Sequence, residues 1–131
     1  MIKFKYERDM KLFCALHPAL IMIFGDLARY AMEKHSYSVT VTQTITTEIQ
    51  DNAVNRTSNS HRTCRAIDIR SKDMPFNVRN SLLDYINSKP EWQKYHYERR
   101  SGGKILAFHH VGTAEHIHLA IHARYAVKTK L

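Results

Sequence analysis

The sequence predicts an α+β domain, with helices packed on a mostly antiparallel sheet. Three observations predict it. Two segments, one over residues 16–34 and one between Pro75 and Pro90, carry apolar side chains at helical spacing. Residues 37–46, 66–70 and 116–122 alternate or are rich in β-branched residues, as strands are. The last third of the chain reads as consecutive strands joined by short turns, which favours a meander over a parallel βαβ array.

In the first helix the apolar face is Leu16, Leu20, Ile23, Phe24, Leu27 and Ala31. Pro18 suits its first turn, and Gly25 costs it a little. "YSVTVTQTIT" is the first predicted strand, and residues 47–64 are polar enough to be read as one long loop. Loops of that length in a compact domain are often functional. Residues 66–70 form the second strand. Asp73 and Pro75 signal the start of a helix whose buried face is Val78, Leu82, Leu83 and Ile86, and which stops before Pro90. "KYHYERR" and "KILAFHH" flank Ser101-Gly102-Gly103, a hairpin turn, and "EHIHLAIH" follows a short connection around Gly112.

The chain has 131 residues, the size of a single domain spanning 1–131. No apolar run reaches the length of a membrane span, so no membrane insertion is expected. The charged start "MIKFKYERDMK" is unlike a signal peptide, so cytoplasmic synthesis is expected. Two cysteines, Cys14 and Cys64, are too few for a disulfide framework and are read as thiols. A formal net charge of +8 points to a polyanionic partner: nucleic acid, an acidic membrane surface or an anionic cell-wall polymer. The basic residues are scattered, with no basic helix and no stacking pattern, so nucleic acid is the least favoured of these.

Two features carry chemistry. The chain has nine histidines, and five of them, His109, His110, His116, His118 and His122, crowd into fourteen positions. Strand alternation places His116, His118 and His122 on one face of "HIHLAIH", opposite Ile117, Leu119 and Ile121. The second feature is Asp68, a carboxylate between Ile67 and Ile69 in a predicted strand. Strands disfavour Asp, and a buried carboxylate needs a cation or a metal. A salt bridge to Arg65 or Arg70 is one answer. The other is a zinc site with two nitrogens and one oxygen, from His61, Asp68 and His118, which leaves a fourth position open for water.

"NSHRTCRAIDI" resembles the motif S-x-H-x-x-G-x-A-x-D of the D-alanyl-D-alanine peptidase and Hedgehog-like zinc metallopeptidases, and "EHIHLAI" resembles their second motif. The order of predicted elements is similar too. The resemblance implies the Hedgehog/DD-peptidase fold, zinc on His61, Asp68 and His118, and hydrolysis of the peptide stems of peptidoglycan. It points to the phage L-alanyl-D-glutamate endolysin-like branch: a monomer without a signal peptide, acting at the cell wall or periplasm of a bacterial host. The family's general base is a Glu in E-x-x-H or the first histidine of H-x-H, which here means Glu115 or His116. The carboxylate is favoured as the commoner base beside zinc. The chain departs from the motif at Cys64, which replaces the glycine, and at Asn59, which replaces the serine. The arginine that binds substrate soon after the first strand is missing from "TITTEIQ". Arg62, with Asn59 beside the ligand, is the expected substitute, and Arg56 a further one. Two other readings stand beside this one: a zinc-binding module of the same fold without the reaction, and a basic nucleic-acid-binding protein.

Overall fold

A computed structural model of the chain describes residues 2–112 and 114–128. The elements run β1 (Ile2–Phe4), α1 (Glu7–Leu12), α2 (Pro18–His35), β2 (Val39–Gln43), α3 (Glu48–Ala53), β3 (Ala66–Arg70), α4 (Phe76–Ser88), β4 (Tyr97–Glu98), β5 (Lys104–Ile105), β6 (Ala107–His110) and β7 (His116–Ala120). Short 3-10 turns occupy Phe13–Ala15, Pro90–Tyr95 and Ala123–Tyr125. The main sheet has the order β1-β2-β3-β7-β6, and β4 pairs with β5 in a separate two-stranded sheet. β1 runs parallel to β2, whereas β2–β3, β3–β7 and β7–β6 are antiparallel. The architecture is therefore α+β on a mixed, largely antiparallel sheet.

Local chemistry explains where α2 starts and stops. Pro18 opens it, the His17 ring accepts a hydrogen bond from Ala19 N–H, and Ser36 closes it in the left-handed region at φ 51°. Its buried face is Leu20, Ile23, Phe24, Leu27 and Ala31. Val78, Leu82 and Ile86 of α4 join the same core, and Ile67, Ile69, Ile117 and Leu119 supply the sheet side. Side chains of this size contribute about 1.5–3 kcal/mol each when fully buried. Asp26 of α2 ties the helices together at the surface, because its carboxylate takes Lys89 Nζ, Trp92 Nε1 and Tyr85 Oη at 2.6, 2.9 and 2.8 Å. Burial raises its pKa, but these donors and Arg29 outweigh that and hold it well below the usual carboxylate range.

Three expectations are corrected by the fold. The segment expected as one long loop over residues 47–64 holds α3, started by a capping box in which Thr47 and Gln50 satisfy each other's backbone N–H groups. The N-terminal residues, for which no element was expected, form β1 and α1. The segment "KYHYERR" forms part of a 3-10 turn and the two-residue β4, and its hairpin partner is β5 alone. The hairpin turn itself is where expected, with Gly102 and Gly103 at φ 90° and 81°, a conformation open to glycine at little cost. Among the described residues no helix is long and apolar enough to cross a membrane.

Candidate metal centre

The centre is built on the register of β3 and β7. Asp68 lies directly opposite His118, and Phe108 of β6 lies opposite His118 on the other side. Partners across a ladder share a face, so Asp68, His118 and Phe108 project together, away from the face that carries Ile67, Ile69, Ile117 and Leu119. His61 arrives from the turn that ends the 54–65 segment. Cys64 N–H donates to the His61 carbonyl and Arg65 N–H to that of Ser60, which closes the turn against the start of β3.

His61 Nε2 and His118 Nδ1 lie 3.1 and 3.0 Å from the same Asp68 oxygen, Oδ1. The possible ligand atoms of His61, Asp68 and His118 all fall within 4.8 Å of one another. His61 and Asp68 are almost fully buried and His118 is partly so. The alternative of an arginine partner for Asp68 is not realised. Arg70 pairs with Asp73 at 3.0 Å, and Arg65 donates to the Ile121 carbonyl and to Asn59 Oδ1. Burial pushes the Asp68 carboxyl up, but the two imidazoles outweigh it and hold the group far below its ordinary range. Burial pulls the His118 imidazole down despite its bond to Asp68.

The hydrogen bonds assign the proton on His61. Its Nδ1 lies 2.6 Å from the Thr44 carbonyl, which can only accept, so Nδ1 carries the hydrogen. The Asp68 carboxylate, 3.1 Å from Nε2, then needs positive charge on that side: the second proton of an imidazolium in the metal-free chain, or a metal ion held between the two groups. A carbonyl that fixes the far nitrogen of a histidine is also the usual outer support of a metal ligand. The donor set of two imidazoles and one carboxylate fits zinc with one coordination position left over. The sequence offered no sign of Thr44 in this role, because the contact uses a backbone oxygen.

The remaining expected site residues divide. His116 joins the cluster: its Nδ1 donates to the Ala114 carbonyl at 2.6 Å, and its Nε2 lies 3.6 Å from Asp68 Oδ1. Glu115 does not. It immediately precedes β7, and its carboxylate meets His109 Nε2 at 2.8 Å and Arg79 Nη1 at 3.9 Å. His109 faces the helix-covered side of the sheet with Ile117, its ladder partner, so Glu115 is directed away from Asp68. Arg62 Nε lies 2.9 Å from Asp51 Oδ2, an ion pair without hydrogen-bond geometry, and Arg56 Nη1 donates to Asp51 Oδ1 at 3.0 Å. Both arginines thus hold the ligand-bearing loop to α3. Asn59 accepts from Arg65. Cys64 is buried in the apolar core, where burial raises its thiol pKa, and it stands apart from the metal-ligand set.

Beside His118 lies a cavity of about 340 Å³, lined also by Arg65, Tyr97, Glu98, Ser60 and His122. Arg99 of the β4–β5 hairpin stacks over Phe108 at 4.6 Å, and the Phe108 ring is 5.4 Å from that of His118. Burial pushes the Tyr97 phenol up to about 12 against the pull of Arg99 and Arg65, so it remains a hydroxyl at neutral pH.

Protein-family models, curated proteins and solved structures were compared with the chain, and none matches it.

Proposed function

We propose that the chain is a zinc-dependent peptidase of the D-alanyl-D-alanine peptidase and Hedgehog-like kind, cutting peptide stems of bacterial peptidoglycan. One observation carries the reading. The three side chains singled out by the motif, His61, Asp68 and His118, come from a loop and two strands and place their ligand atoms within 4.8 Å of one another. When bound there, zinc supplies the Lewis acidity that activates water and polarises a peptide carbonyl.

The protein's own groups divide the remaining work. Thr44 orients His61 through its carbonyl. The Asp68 carboxylate holds both imidazoles in place and neutralises cationic charge in a buried site. His116 is the general base in this reading, in place of the favoured Glu115. Its Nδ1–H is engaged by Ala114, so its Nε2 lone pair faces the centre and is free to take a proton and pass it to the leaving amine. Tyr97 and Glu98 of the β4–β5 hairpin wall one side of the cavity beside His118.

The test has two parts. The purified chain is expected to carry about one zinc, lost in His61→Ala, Asp68→Ala and His118→Ala. The loaded protein is expected to clear peptidoglycan in a zymogram, with activity abolished by a chelator and restored by zinc. Stoichiometric zinc with no new amino groups released from walls of several chemotypes would establish the second reading, a metal-binding module without the reaction. A specific observation favours that second reading: Asp51 engages both Arg56 and Arg62, the two arginines expected to replace the missing substrate-binding one.

A further inference from the structure

The cavity beside His118 contains a cation that the fold leaves without a counter-ion. The Arg65 guanidinium is partly buried and uses two of its donors on neutral acceptors, the Ile121 carbonyl and Asn59 Oδ1. Among the described residues no carboxylate lies within ion-pair distance of it, although Glu98 lines the same cavity. Arg65 Nε has no hydrogen-bond partner and is shut off from solvent, and the Tyr97 hydroxyl is in the same position. Both residues wall the cavity that His118 also lines. A guanidinium held in place by neutral acceptors and left unneutralised is a preformed half of an arginine–carboxylate pair.

We infer that Arg65 and Tyr97 form a specificity subsite that takes a carboxylate of the substrate, next to the metal centre. This rests on the peptidase reading and deepens it: the substrate is an acidic peptide, whose carboxylate is a chain end or a side chain. Glu98 repels an anion on its side of the cavity, so the carboxylate seats against Arg65 and Tyr97. Arg65 is adjacent to Ala66 at the start of β3 and so keeps a fixed offset from Asp68. The subsite therefore sets which bond reaches the metal.

Binding tests the subsite without turnover, on the full chain both metal-free and zinc-loaded. The probes are N-acetylalanine for a chain-end carboxylate, the α-amide of N-acetylglutamate for a side-chain one, and neutral N-acetylalaninamide. At least one carboxylate is expected to bind about tenfold tighter than the neutral amide, with or without zinc. It is expected to shift the NMR signal of Arg65 Nε–H. Arg65→Gln abolishes the preference, and Tyr97→Phe weakens it about threefold to tenfold. The stronger probe identifies the source of the carboxylate. Equal binding of carboxylates and amide overturns the inference, as does an Arg65 Nε–H signal that stays still. The signal is read in the unaltered chain, so an unstable Arg65 variant leaves the test intact. If the preference stands while loaded protein fails to cut any wall, the peptidase reading falls and the subsite survives.

Discussion

Asp68 was conspicuous in the sequence because a carboxylate between two isoleucines of a strand has to be explained, and its partners are the two histidines the motif supplies. The same residue gives a pH prediction for the metal-free chain. Its folded pKa is depressed, so the stability it contributes is complete above the ordinary Asp range and is lost as pH falls through that range toward the folded value. Melting temperatures of metal-free wild type and Asp68→Asn are expected to differ at pH 7 and to converge below about pH 4. A constant gap down to the acid limit would show that the ion pairing is not what the carboxylate contributes. Cys64 gives a second residue-scale prediction. It sits at φ 62° with no solvent exposure, at the position where the motif it resembles has glycine. Left-handed backbone costs an ordinary residue about 1–2 kcal/mol. Relief of that strain in Cys64→Gly offsets the lost packing of the thiol, so stability in urea is expected to stay within about 1 kcal/mol of wild type. Cys64→Val, β-branched in the same backbone, is expected to lose more than about 2 kcal/mol. Which of Glu115 and His116 faces the cluster was not legible, because it turned on whether the strand begins at residue 115 or 116. Even the correct start leaves Glu115 free to turn, and it was His109 and Arg79, distant in sequence or on the other face, that drew it away.

At the scale of elements, the sequence carried most of what builds the site. Alternation in "HIHLAIH" put His116 and His118 on one face, and the β3–β7 register then brought Asp68 opposite His118. Three short elements escaped. β1 has three residues and owes its strand conformation to pairing with β2. α1 and α3 have six each, too few for a periodic pattern, although the capping box of α3 was present in "TEIQ". That helix matters because its Asp51 is the buried anchor of the loop that delivers His61. It takes Arg56, Arg62 and the Thr46 hydroxyl, the last at 2.7 Å. Asp51→Asn is expected to cost about 2–3 kcal/mol of stability, less than a fully buried pair because both guanidiniums keep some contact with water. It is also expected to weaken zinc binding about 10–100-fold, the range for loss of an outer support, when measured by competition with a chelating dye. Unchanged zinc affinity would separate the loop's anchoring from the geometry of its histidine.

For the whole molecule, the charge and the metal act in different ways. A net charge of +8 favours encounter with polyanions in general and is screened by salt, but it places no group at the centre. A metal at the cluster would instead join parts of the chain that are far apart in sequence: a loop at residue 61, the strand at 68 and another strand at 118. These three groups come together only in the folded state, so zinc, if held there as proposed, would bind that state and stabilise it by mass action. At a hundredfold excess over the dissociation constant the gain is about 2.7 kcal/mol. For a domain of this size that raises the melting temperature by roughly 8–12 °C. The rise is expected to continue with zinc concentration and to disappear in His118→Ala. His116→Ala is expected to keep it, because that side chain contacts Asp68 at 3.6 Å yet is not one of the clustered ligands. The same His116→Ala protein is expected to lose peptidoglycan hydrolysis by roughly 10²–10⁴-fold, whereas Glu115→Gln retains most of it. Loss of the zinc-dependent melt in His116→Ala would make that histidine a fourth ligand. The centre would then be closed as structural zinc sites are, and the proposal of a hydrolase would give way to that of a metal-stabilised binding module.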